Sequence, residues 1–153
     1  MLFTQDMKDL IEAFERNQVQ YVLVGGHAVN YYGYVRSTQD IDFLVMPSPE
    51  NAQNLMKALS EFGFGGAEIP QEYFEREGTA VHLGVEPNRI DLLTHLKGIS
   101  NDTIFGNRKR VELGGMLLNI IAYSDLLAAK RHSERPRDLA DVDELEKTNR
   151  HRR

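Results

Sequence analysis

Hydrophobic positions along the chain fall into two patterns, one at helical spacing and one in short unbroken runs. Met7, Leu10, Ile11 and Phe14 recur three and four residues apart, with Glu12, Glu15 and Arg16 on the opposite face. Thr4 precedes them as an N-cap, so a helix is predicted from there to about Gln18. Tyr21-Val22-Leu23-Val24 is a compact apolar run that stops at Gly25-Gly26, the pattern of a buried strand. A short helix, His27 to Tyr34, opens at the glycines, and the polar residues 36–39 form a loop. Asp40 to Met46 reads as a second strand, and Pro47-Ser48-Pro49 starts a helix running through about Phe62. Gly63-Phe64-Gly65-Gly66 breaks that helix, and residues 67–78 carry no decisive pattern. Thr79 to Val85 and Arg89 to Leu93 read as strands joined by a turn at Glu86-Pro87-Asn88. Arg110–Leu113 and Met116–Ile121 flank Gly114-Gly115, a two-residue hairpin signal. Ser124 caps a helix containing Leu126, Leu127 and Lys130, and Pro136 and Asp138 open a final helix to about Lys147.

These elements predict an α/β (α+β) fold: a small mixed sheet flanked by helices, in one small domain over 1–153. Its motifs lie in 20–95, and the C-terminal helices in 124–147. A length of 153 residues suits one sizeable core rather than two. The absence of cysteine excludes disulfides, thiolate catalysis and cysteine-ligated zinc, and a reducing cytoplasm is the expected compartment. The apolar runs 21–26 and 116–123 are too short to cross a bilayer, and the N-terminus lacks a signal-peptide core, so no membrane association is expected. A formal net charge of −5 argues against bulk DNA binding, which depends on neutralising many phosphates. The basic clusters Arg108-Lys109-Arg110 and 150–153 read first as solvated surface and chain end.

Asp40 and Asp42 change the picture most. Residues i and i+2 of a strand share a face, so both carboxylates point the same way from a run that is otherwise apolar. Two such charges at the end of a buried strand repel unless a cation joins them, and Mg²⁺ is commonly held by one or two carboxylates plus substrate phosphates. The competing reading is a solvated strand start. The upstream turn favours the metal: Gly25-Gly26 lets backbone approach an anion closely where a helix presents free N–H groups. Asp91, in the apolar run Arg89-Ile90-Asp91-Leu92-Leu93, completes a cluster if its strand neighbours that of Asp42; otherwise it is an edge-strand charge.

Val22-Leu23-Val24-Gly25-Gly26-His27-Ala28-Val29, followed by Arg36-Ser37-Thr38-Gln39-Asp40-Ile41-Asp42-Phe43-Leu44-Val45, resembles the signature of the DNA-polymerase-β-like nucleotidyltransferase superfamily. Asp91 matches that superfamily's third acidic position, and His27 stands where a serine is usual. Within it the chain is similar to small bacterial nucleotidyltransferase-like proteins, including those of abortive-infection toxin–antitoxin systems. There a lysine-bearing helix precedes an Arg/Lys-Asp-X-X-Asp segment, here Lys130 followed by Arg137-Asp138-Leu139-Ala140-Asp141.

The resemblance implies Mg²⁺-dependent transfer of a nucleoside monophosphate from ATP or another NTP, with Mn²⁺ as the alternative ion. It makes Asp40, Asp42 and Asp91 the catalytic and metal-binding set, and Gly25, Gly26, His27, Arg36, Thr38 and Lys130 the nucleotide-binding set. The acceptor would be an RNA such as tRNA, or a protein. The chain has no large C-terminal domain to select an acceptor, so an antitoxin or a second copy is an expected partner. The alternative is a non-catalytic module that binds nucleotide or a partner protein. Lys130 is equally a solvated helix lysine, and Arg137, Asp138 and Asp141 are expected to form pairs on a helix surface. Tyr31, Tyr32 and Tyr34 are expected to pack a short helix rather than stack on a base.

Overall fold

The computed structural model describes residues 3–35, 37–64, 69–84 and 88–150. In chain order the elements are α1 (Gln5–Arg16), β1 (Tyr21–Val24), α2 (Gly25–Tyr31), β2 (Ile41–Val45), α3 (Pro49–Leu59), β3 (Ala80–Leu83), β4 (Ile90–Leu93), α4 (Asn101–Asn107), β5 (Lys109–Leu113), β6 (Met116–Ile120), α5 (Tyr123–Ser133) and α6 (Pro136–Thr148). A π-helical turn at Ser60–Phe64 extends α3, and Gln71–Phe74 forms a single 3₁₀ turn.

The strands form one mixed sheet in the order β3-β4-β2-β1-β6-β5. β1 runs antiparallel to β2, and β2 runs parallel to β4. β1 pairs parallel with β6, while β3–β4 and β5–β6 are antiparallel edges. The central strands β1 and β2 are almost wholly buried, as their unbroken apolar sequences require. The edge strands β3 and β5 alternate or are exposed.

Local signals account for most element boundaries. Thr4 Oγ1 accepts from Met7 N to cap α1, and Met7, Leu10, Ile11 and Phe14 are all buried. Ser48 caps α3 in the same way, with Pro49 in its first turn. Phe14, Tyr21 and Phe43 meet edge-on or tilted at 5.1–5.7 Å between ring centroids, fastening α1 to the sheet centre. The Gly114-Gly115 turn joins β5 to β6 as expected. Several boundaries differ from the sequence expectation by one to three residues. α2 begins at Gly25 rather than His27, β2 begins at Ile41 rather than Asp40, and α5 is entered at Ala122, with Ser124 already inside it. The expected turn at 86–88 lies largely outside the described residues.

Two polar ties close the core. Asn51, buried at the start of α3, accepts from Gln20 N at 2.7 Å and donates to Gln20 O and Met46 O at 3.0 and 2.9 Å. It thereby locks the approach to β1 against the exit of β2. At the far end, Asn149 Nδ2 donates to Tyr32 O at 2.8 Å, and the Tyr32 hydroxyl donates to Ile121 O at 2.6 Å. The tyrosines of α2 and its exit therefore pack and tie, as expected: Tyr31 stands edge-on to Tyr32, which meets Tyr123 at 5.4 Å.

Removing the Asn51 amide leaves Gln20 N and Met46 O to find new partners in a part-buried setting, while Gln20 O keeps Met46 N. Asn51→Ala is expected to destabilise the fold by about 2 kcal/mol, read as a lower urea midpoint at unchanged slope.

Candidate active site

The β1–β2 register pairs Val24 with Asp42, which brings Gly25, the next residue, directly against the Asp42 side chain. Gly25 has φ +70°, and a Cβ built on it would lie 2.0 Å from Asp42 Oδ2. Both facts exclude a side chain there. Gly26 is also tight, since a Cβ built on it would lie 2.6 Å from Thr38 Oγ1. The β2–β4 register then sets Asp42 beside Asp91 on adjacent parallel strands. Asp40 lies one residue before β2, where Ile41 N still donates to Arg89 O at 3.0 Å and Thr38 Oγ1 donates to Asp40 O at 3.2 Å. Sequence spacing and two registers thus gather all three aspartates.

They share one cavity of about 650 Å³, which Gly25, Gly26, Thr38 and Lys130 also line. His27 is not among the lining residues. Its ring is 1% exposed, sits 5.2 Å from that of Phe3, and leaves both nitrogens without a hydrogen-bond partner. The reason is helical phase: starting α2 at Gly25 turns position 27 inward. Arg36 lies outside the described residues.

Electrostatics in the cluster follow from crowding. Burial, a hydrogen bond shared with Asp91, and the charges of Asp91 and Asp40 together push Asp42 up to about 7. Asp91 moves the other way. Burial raises it, but hydrogen bonds from Asp42, Arg89 and His82 outweigh that and hold it below the usual carboxylate range. Arg89 Nε donates to Asp91 Oδ1 at 2.9 Å and Nη2 to Asp91 Oδ2 at 3.2 Å, while Nη2 lies 3.4 Å from Asp40 Oδ2. His82, paired with Asp91 across β3–β4, brings Nδ1 within 2.6 Å of Asp91 Oδ1. Sequence reasoning missed Arg89 and His82 as site residues. Arg89 was legible as the i−2 neighbour of Asp91 on the same strand face, whereas His82 depends on cross-strand register.

The Lys130 region corrects an expectation. Asp138 and Asp141 are 6% and 2% exposed, not on a helix surface. Lys130 Nζ bridges them at 3.0 and 2.9 Å, joining α5 to α6. Asp138 also accepts from Ser133 Oγ and from Arg135 Nε. Burial raises its pKa, but bonds from Ser133 and Lys130 and the nearby cations bring it below the normal range. Lys130 and Arg135 therefore reach the cavity wall already paired with these carboxylates, and the exposed Arg137 lines the same cavity.

Comparison with known proteins agrees with this geometry at the level of family and fold. The chain belongs to the family described as nucleotidyl transferase of unknown function (DUF2204), whose model matches residues 3–153. Its structure is similar to the crystal structure of a Thermotoga maritima protein provisionally described as a nucleotidyltransferase. The TM-score is 0.56 at 14% identity, over 94% of this chain and 88% of that one, and this shows a shared fold. No curated protein matches the sequence. Among the described residues no helix is long and apolar enough to cross a membrane.

The buried imidazole of His27 gives a test of local packing. Burial depresses it from 6.5 to about 4, so the unfolded chain binds a proton that the folded chain refuses. Stability is therefore expected to fall as pH drops from about 6.5 towards 4, by up to about 3 kcal/mol from this one group. Urea titrations across that range should show a shallower pH slope in His27→Leu.

Proposed function

We propose that this protein transfers a nucleoside monophosphate from an NTP to a hydroxyl of an RNA or protein acceptor, using Mg²⁺ or Mn²⁺ at Asp40 and Asp42 with Asp91 as the third carboxylate. The observation that carries the reading is the Asp42–Asp91 register beside a glycine turn that excludes any side chain. The donor set fits a hard cation: three carboxylates supply oxygen, and Asp40 Oδ1 is buried with no hydrogen-bond partner. When bound, such an ion neutralises phosphate charge and steadies the attacking and leaving oxygens.

The chain's own residues supply position and charge. Gly25 and Gly26 give a bare wall for close approach of phosphates, and Arg89, Arg135 and Arg137 line the cavity with cations. In the transfer, the acceptor oxygen bonds to the α-phosphorus, the α–β phosphoanhydride breaks, and pyrophosphate leaves. The hydroxyl proton passes to a carboxylate of the cluster. Lys130 acts chiefly by holding α5 to α6, since its ammonium already sits between the carboxylates of Asp138 and Asp141 at 3.0 and 2.9 Å.

Asp42→Asn removes one ligand and one buried like charge together. It is expected to lower metal-dependent NTP binding and product formation by at least a hundredfold. Its melting temperature should equal or exceed that of the wild type, because the burial of a charge and the repulsion that raise Asp42 are both gone. Undiminished transfer in this variant overturns the assignment.

The placement of Arg89 favours a second reading, a non-catalytic module that binds nucleotide or a partner protein. Among the described residues no group of three or more acidic or imidazole side chains is already gathered for a metal, and the guanidinium serves the carboxylates instead. Arg89→Ala separates the two. A metal site predicts Mn²⁺ affinity without nucleotide several-fold above wild type, measured by the free-Mn²⁺ electron paramagnetic resonance signal. A module that has replaced the metal predicts no Mn²⁺ binding in either protein.

A further inference from the structure

The carboxylate cavity continues into a second lobe of about 290 Å³, and the two share a wall that includes Gly25, Asp42, Lys130 and Asp138. The lobes differ in chemistry. The first is lined by aspartates and arginines and by Ser37, Thr38 and Gln39. The second lies between the segment following β4 and the inner face of α5. Leu96, Leu126 and Ala129, with Leu93 shared between the lobes, form its apolar walls, and His95, Lys97, Ser133 and the shared Arg135 add polar groups beside the common charged wall.

This lobe is built into the fold. Gly98 has φ +85°, and a Cβ on it would lie 2.1 Å from the His132 ring, so the segment after β4 rests with bare backbone on α5. Leu96 and Ile99 bridge to one another within that segment, tightening it. The apolar walls are therefore held by contacts remote from the carboxylates.

An NTP divides in the same way. Its triphosphate is anionic and seeks cations. Its base is flat, with apolar faces and a polar edge. We propose that the second lobe is the nucleobase subsite, so that the base lies between Leu96 and α5 while the β- and γ-phosphates lie in the arginine-lined lobe. The α-phosphate then falls at the shared wall, beside Asp42 and Gly25, where the transfer reading requires it. Small-ligand sites have this composition, apolar walls with a few polar groups that fix orientation. The inference rests on the nucleotidyl-transfer reading and adds the direction in which the nucleotide lies.

The test compares MgATP with magnesium tripolyphosphate, which carries the charge but no base, by isothermal titration. Ala129→Phe fills the lobe from a half-buried position on α5. Leu96→Ala strips an apolar wall without adding bulk, and it keeps the question answerable if the bulkier variant does not fold. Either variant is expected to weaken MgATP at least tenfold and to leave tripolyphosphate within twofold. Unchanged MgATP binding, or an equal loss of both ligands, overturns the nucleobase subsite. So does wild-type protein that binds the two ligands equally well, and in each case the carboxylate site still stands. Wild-type protein that binds neither ligand overturns the transfer reading itself, and the subsite with it.

Discussion

Three carboxylates held together at the end of a buried sheet are the constraint around which the rest of this structure is arranged. In water such groups would separate. Here two registers fix Asp42 and Asp91, with Val24 opposite Asp42 in β1–β2 and Asp42 beside Asp91 in β2–β4, and Asp40 stands just before β2 in the same cavity. Mutual repulsion and burial drive Asp42 towards the neutral form, and Arg89 and His82 gather on Asp91 to compensate. Compensation of this kind costs stability relative to an apolar strand end. The strain is held at a glycine turn with no room for a side chain.

The polar junction between α5 and α6 follows a similar rule with opposite balance. Lys130 enters a buried space with two aspartates waiting, so the net charge there is negative before Arg135 is counted. The helices are thus joined by attraction while the sheet end is held against repulsion, and the cavity lies between the two.

Much of this was legible in the sequence because the signals were local. The 3–4 spacing of Met7, Leu10, Ile11 and Phe14, the caps Thr4 and Ser48, and Gly114-Gly115 each act within a few residues. The spacing of Gly25-Gly26 from Asp40 and Asp42 pointed to adjacent strands and was matched by the register. What escaped depends on distant partners or on exact helical phase. α4, at Asn101–Asn107, has no expectation to match, since its short run gives too few turns for periodicity and Asn101 is held by Thr94 O. A start at Gly25 instead of His27 rotated the histidine into the core beside Phe3. Asp138 and Asp141 read as surface residues because their partner, Lys130, lies on another helix.

The tie from Asn149 to Tyr32, together with the Lys130 bridge, carries a consequence for how the molecule comes into being. The glycines and the first two aspartates are made early, yet the opposite wall of the cavity comes from residues 130–138. β6, from residues 116–120, must also slot in beside β1 before the sheet is complete. A chain growing on the ribosome therefore presents its acidic strand end, with Arg89 and His82, before Lys130 and the arginines of the opposite wall emerge. The cleft can assemble only after residues 130–138 have emerged and α6 has folded back against α2 and α5.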